Sequence, residues 1–242
     1  SLSDIAEIPD SPARYKLDDA RARLWPIVEA CDALDWMLLT KRPENLLRVT
    51  PESWRREFPR NVWVGTTVEN QKEAQRRVPM LRHVPAAVHF LSMEPLLEPV
   101  VLDERWLEWT PTGPDEDGES HLLPPLRLVI VGGESGPGAR PTDVRWIRSL
   151  VEQCKGAGVA VFVKQLGAHV LDRNDTNYED AENMVNGPPP WPASVETEPF
   201  WDMSDKRYQG APVRFLLKDR KGGNMEEWPA DLRVRQMPER PA

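Results

Sequence analysis

Five short apolar runs, each breaking off abruptly into polar residues, restrict the fold of this chain more than any other feature. They are Trp36 to Lys41, Val62 to Thr67, Val88 to Glu94, Leu128 to Glu134 and Val159 to Lys164. Their bulky and β-branched content reads as strands. The second, fourth and fifth are almost continuously apolar, the pattern of strands buried on both faces of a parallel sheet. Helical signals lie between the runs. Thr50-Pro51-Glu52 supplies a cap, a first-turn proline and an early acid ahead of Trp54, and Glu69 to Arg77 is rich in helix formers. Val144, Ile147, Leu150, Val151 and Cys154 then recur at helical spacing until Gly156 and Gly158 stop the run.

Such alternation needs crossovers between parallel strands, which means an α/β fold of the barrel or the doubly wound kind. A partial TIM-type barrel is the preferred reading, because the strands are fewer than a full barrel holds. The opening Ser1-Leu2-Ser3-Asp4 resembles a strand-to-loop transition and reads as that of a fragment. Residues 1–170 are expected to form the helix-strand core. Within them Trp109 to Pro125 reads as a polar, mobile insertion before the fourth strand. Residues 171–212, with Pro188-Pro189-Pro190, read as a long irregular loop, either a lid or solvated decoration. Residues 213–242 read as a hairpin turning at Lys221 to Asn224, with Trp228 packing back on the core.

Of the 242 residues, 40% are hydrophobic and 29% charged, ordinary globular material, and the net charge is −8. That balance argues against a broad nucleic-acid or membrane footprint. Arg42, Arg55, Arg56, Arg60, Arg76, Arg77 and Arg82 leave a local basic surface open, against solvated helix faces. No apolar run is long enough to span a bilayer, and Ser1 to Pro12 has no secretory pattern, so a cytoplasmic location is expected. Cys31 and Cys154 stand far apart outside any paired motif and read as buried apolar side chains. His83, His89, His121 and His169 show no metal-ligand spacing, and no Ser-His-Asp order is evident.

Ligands of parallel α/β folds sit at the carboxyl ends of the strands. Here those ends carry Lys41 and Arg42, Thr66 and Glu69, Glu94, Gly133 and Glu134, and Lys164 and Gln165. Three carboxylates facing two ammonium groups suit a zwitterionic or polyhydroxyl small molecule, or acid-base work where burial shifts their pKa values. A structural ion network is the other reading. The run from Gly132 to Pro141 follows a strand and precedes a helix. Its glycines allow close backbone approach to a ligand, and the helix start with Arg140 suits an anion. A tight structural turn is the alternative.

Taken together, Leu38 to Glu44, Val62 to Asn70, Phe90 to Leu97, Val131 to Pro141 and Phe162 to Gly167 resemble the phage-derived gene-product thirty-seven/sixty-eight family. That family is of unknown function and similar in organisation to radical SAM enzymes. The resemblance covers most of residues 1–170 and resumes weakly from Leu216 to Pro238. It implies a partial barrel that opens with a three-cysteine motif holding a 4Fe–4S cluster and S-adenosylmethionine, a motif that no cysteine of this sequence matches. It further implies that Thr66, Glu69, Glu94 and Glu134 hold the amino group or ribose of the cofactor, and that Lys41, Arg42 and Lys164 bind carboxylate or phosphate. A cluster-free binding or scaffold module is the alternative, and nucleic acid enters as substrate by analogy alone.

Overall fold

The computed structural model describes residues 4–10, 13–113, 120–172, 191–200, 206–208 and 213–240. In chain order the elements are α1 (Ala13–Ala30), β1 (Trp36–Thr40), α2 (Leu46–Val49), β2 (Val62–Thr67), α3 (Gln71–Arg82), β3 (Val88–Met93), β4 (Thr110–Pro111) and β5 (Leu122–Leu123). They continue with β6 (Leu126–Gly132), β7 (Thr142–Asp143), α4 (Val144–Gly156), β8 (Ala160–Gln165), β9 (Val170–Asp172), β10 (Glu196–Pro199) and β11 (Val213–Leu216). The five expected strands are β1, β2, β3, β6 and β8. They pair in that order, and every pair is parallel.

Because each of these strands lies beside its predecessor, the sheet never reverses its direction of growth. Right-handed crossovers then place all connecting helices on one face. This is the winding of a barrel wall, not of a doubly wound sheet. The sheet stays open, with β1 and β8 as its two edges.

The helix-covered face holds the main core. Leu38, Val62, Val64, Leu91, Met93, Val129, Val131, Val161 and Val163 point to it from the strands. Helix α3 starts at Asn70, whose side-chain oxygen accepts from the Glu73 N–H at 2.9 Å. It buries Ala74, Val78 and Leu81, three and four residues apart. Helix α4 starts at Asp143, capped onto the Arg145 N–H, and buries Val144, Ile147, Leu150, Val151 and Cys154, as their spacing predicts. Helix α1 buries Arg21, Trp25 and Val28 and packs Trp25 edge-on against Trp54.

Several expectations are corrected. The β8 strand is not buried on both faces: Val161 and Val163 are buried, whereas Ala160 and Phe162 are half-buried and Lys164 is exposed. Thr50 does not cap the following turn, because its hydroxyl donates to the Leu46 carbonyl and closes α2. The 109–125 insertion is ordered at its base, where β4 and β5 pair antiparallel; residues 114–119 lie outside the described residues. The buried Arg82 guanidinium organises that base by donating to the carbonyls of Glu108, Leu123 and Pro124 and to the Thr110 hydroxyl. The segment read as irregular contributes β10 and most of β9, although 173–190, 201–205 and 209–212 are outside the described residues. With β7 and β11 these form a second sheet of order β10-β11-β9-β7. The expected tail hairpin is absent, since β11 pairs with β10 and β9 and is followed by 3-10 turns. The turn at 221–224 does form, and Trp228 is fully buried behind it.

Three loops meet at the strand ends through glycine. A Cβ on Gly133 would lie 2.1 Å from the Leu166 carbonyl oxygen, and one on Gly222 would lie 2.4 Å from that of Gly167. Gly222 also has φ 65°, in the left-handed region. Replacing Gly222 by Ala is therefore expected to lower stability by about 2 kcal/mol or more. Gly156→Ala, in α4 at a site where a Cβ meets nothing within 4 Å, is the control and should leave stability unchanged or slightly raised. Comparison of urea midpoints checks both, and equal midpoints would refute the packing argument.

His89 yields a pH prediction. Its ring is fully buried in β3, with Nε2 at 2.9 Å from the Val84 carbonyl and Nδ1 without a partner. Burial lowers its pKa to about 4, against a weaker opposing effect of the Val84 carbonyl. The unfolded chain therefore takes up this proton first as the pH falls. The stability contribution is intact above about pH 6.5 and is lost towards pH 4, a penalty on the order of 3 kcal/mol. Urea midpoints between pH 7 and 4.5 should fall less steeply for His89→Leu than for the wild type. An identical slope in both proteins is the opposing result.

Candidate functional site

Among the described residues, no helix covers the second face of the sheet. Side-chain alternation sends Met37 and Leu39 of β1, Trp63 of β2, Phe90 and Ser92 of β3, Leu128 and Ile130 of β6, and Phe162 and Lys164 of β8 to it. Trp63, Val88, Phe90 and Leu128 make a small core there, with Ile130, Ala160 and Phe162 packed against it. Gly65 leaves room for the Phe90 ring, which would lie 2.4 Å from a Cβ at that position. Above this layer opens a cavity of about 640 Å³, within the size range of small-molecule sites. Its floor is Met37, Leu39, Phe90, Ile130 and Phe162, and its polar end is Ser92, Glu94 and Lys164. Arg235 and Met237, from the chain's tail, make a further wall.

Each rim carboxylate is paired with an exposed cation, and Glu69 with a second, the buried Arg77 at 2.8 Å. The Lys164 ammonium donates to Glu94 at 2.9 Å, Lys41 donates to Glu69, and the Arg140 guanidinium grips Glu134 at 2.7 and 3.0 Å. In each pair the carboxylate is sheltered and the cation is wet: 12% against 53% exposed for Glu69 and Lys41, and 19% against 54% for Glu94 and Lys164. Pairs with one solvated partner stabilise weakly, by up to about 1 kcal/mol. The exposed cation can therefore swing to a ligand at little cost.

Burial works to raise the Glu69 pKa, but the Lys41 hydrogen bond and the Arg77 and Lys41 charges outweigh it and hold this carboxyl below the usual range. The Arg140 hydrogen bond does the same for Glu134. Both are set up as anions and hydrogen-bond acceptors at neutral pH, not as proton donors.

Of the residues singled out in the sequence, the structure brings Glu94 and Lys164 together in the cavity. Lys41 and Glu69 pair beside β1 and β2, outside its lining. Thr66 is fully buried and donates to the Thr40 carbonyl at 2.8 Å, tying β2 to β1. Arg42 faces the carboxylates of Asp4 and Glu7 at 3.4 and 3.7 Å. Gly133 serves backbone packing, and Gln165 donates to its carbonyl at 3.0 Å. Glu134 and Arg140 close their own loop. The start of α4, which with Arg140 suits an anion by sequence, is capped by the chain's own Asp143 carboxylate. Arg77 and Arg82 are buried and take no part in a basic surface.

Sequence reasoning overlooked Met37, Leu39, Phe90, Ile130 and Phe162. The period-two alternation that places Glu94 and Lys164 on one face marks them all. No comparable signal announces Arg235 and Met237, which arrive from a distant segment.

Removing the Lys41 ammonium leaves burial less opposed at Glu69. In Lys41→Met the Glu69 pKa is expected to rise, by an amount that carboxyl-carbon NMR titration can read. An unchanged titration would show that Arg77 alone holds this anion.

The profile of a family described as "Protein of unknown function (DUF5131)" matches residues 13–214. No curated protein and no solved structure matches the chain. The family description carries no activity, so the radical SAM likeness rests on the motifs alone. The matched stretch contains all five strands of the parallel sheet, together with Glu94 and Lys164, and stops short of Arg235 and Met237. The chain thus belongs to the DUF5131 family of proteins of unknown function.

Proposed function

We propose that the open face of this sheet binds an amphipathic small molecule, with S-adenosylmethionine as the first candidate. The observation that carries the reading is the joining of an apolar, partly aromatic floor to a charged end within one cavity. Phe90 and Phe162 suit a planar base, the sheltered Glu94 carboxylate suits an ammonium group, and Lys164, more than half exposed, suits a carboxylate. The motif resemblance names the same cofactor.

The iron–sulfur cluster of that resemblance does not fit the residues present. The chain has two cysteines. Cys31 lies after α1, and Cys154 is buried in α4, where burial pushes its thiol up to about 12. No three His, Cys, Asp or Glu side chains among the described residues group to hold a metal. No radical step is derived from these residues; they bind and orient. Bound S-adenosylmethionine would supply a sulfonium that makes its attached carbons electrophilic.

Among the described residues no helix is long and apolar enough to cross a membrane.

Calorimetry and thermal unfolding with S-adenosylmethionine and S-adenosylhomocysteine test the proposal. Saturable stabilisation is expected, about 2.7 kcal/mol at one hundred times Kd. Lys164→Met and Glu94→Gln should each weaken binding roughly tenfold, the loss of one charge-assisted hydrogen bond. No stabilisation, or stabilisation indifferent to both substitutions, would sink it. Product formation from the bound molecule separates an enzyme from a binding module.

A further inference from the structure

The tail after Trp228 crosses the open face. The Val163 N–H donates to the Val234 carbonyl at 2.8 Å, and the Gln236 N–H donates to the Val161 carbonyl at 2.9 Å, so residues 234–236 run antiparallel along the free edge of β8. Arg240 then donates to the Asp35 carboxylate at 2.9 Å and to the Ala33 carbonyl at 3.0 Å, just ahead of β1. The chain from 234 to 240 can span about 20 Å when extended, roughly four inter-strand spacings. One short segment therefore ties the two edges of the sheet together, and Met237 reaches the cavity between them.

This strap brings a cation into the cavity. The Arg235 guanidinium lies 5.4 Å from the centre of the Phe162 ring and 5.8 Å from that of Trp228, stacked where its charge meets two π faces. Its protein hydrogen bonds are long, 3.4 Å to the Val163 carbonyl and 3.3 Å to that of Lys164. Among the described residues it has no carboxylate partner, since the one carboxylate of the cavity, Glu94, is held by Lys164. The lining thus carries two cations against one anion. A planar fork fixed by stacking, with weakly used donors and no counter-charge, is built to receive a carboxylate or phosphate.

We infer that Arg235 is a specificity-determining residue of this cavity and recognises an anionic group, carboxylate or phosphate, on a ligand whose planar body lies on Phe90 and Phe162. The inference rests on the cavity being a small-molecule site. It goes beyond that reading because it assigns ligand choice to a segment outside the 13–214 family match.

The test uses the full chain and three probes titrated by calorimetry: adenosine, adenosine 5′-monophosphate and adenosine 5′-carboxylic acid. At least one anionic probe should bind tenfold or more tighter than adenosine, and the better of the two identifies the anion. In Arg235→Met the ratio of anionic to neutral affinity should fall towards one, and Arg235→Lys should restore part of it. The tail's backbone bonds do not use this side chain, so thermal unfolding should show both variants folded. A wild-type ratio near one, or a ratio that Arg235→Met leaves unchanged, overturns the role of Arg235 while leaving the cavity's function standing. If none of the three probes binds, the cavity reading and the inference fall together.

Discussion

The close approach of three backbones at Gly133, Gly167 and Gly222 is the contact on which the site depends. The loop after β6 meets the loop after β8, where the Gly133 N–H donates to the Gln165 carbonyl and the Ala168 N–H to the Glu134 carbonyl. The turn at Gly222 closes over both: its carbonyl accepts from the Leu166 N–H at 2.8 Å and from the Trp228 indole at 3.0 Å. Side chains at these positions would hold the loops apart. With the loops in contact, Trp228 enters the core, and the chain leaving it runs along the edge of β8. Arg235 owes its place to glycines that never touch the cavity.

Charge is distributed by the same logic of shelter and exposure. Arg82 is buried and, among the described residues, forms no ion pair; carbonyls and one hydroxyl at the base of the β4–β5 insertion satisfy it. Glu227 is buried and accepts from the Lys218 and Asp219 N–H groups. Arg148 bridges Asp172 and Asp231 and thereby joins α4 to both β9 and the tail. These buried and half-buried charges carry structure, since stripping a partner from any of them would leave a largely desolvated group uncompensated. The rim pairs differ, because their cations are already in water and can change partner cheaply.

The strands were legible in the sequence because parallel β structure demands apolar runs with abrupt ends, and Val62–Thr67 was recovered to the residue. Alternation with helices called for parallel pairing, and the sequential order that separates a barrel wall from a doubly wound sheet is visible in the structure. The site was only half legible. Glu94 and Lys164 were marked by their position at strand ends, but position alone does not state which face a side chain takes, and Thr66 at an equivalent strand end turns inward to the Thr40 carbonyl. The second sheet and the strap were illegible for a different reason. Their partners, Val170 with Phe215 and Phe162 with Arg235, are separated by tens of residues, and short strands of mixed polarity carry no periodicity of their own.

The two faces of the sheet are unequal in a way that stability alone does not explain. The helix face is sealed, whereas the open face leaves Met37 and Leu39 partly in water and the Phe162 ring half-covered. Apolar surface left wet forgoes roughly 25 cal/mol for every Å² that burial would gain. A chain selected for stability alone would cover that face with a helix or make it polar. Here, among the described residues, the floor stays apolar, charges stand at one end and a narrow strap passes across it. Among the described residues, an apolar floor with charges at one end therefore lies open on one side of an otherwise well-packed sheet, the arrangement that the proposed site requires, and the arginine of the strap stands over its Phe162 ring.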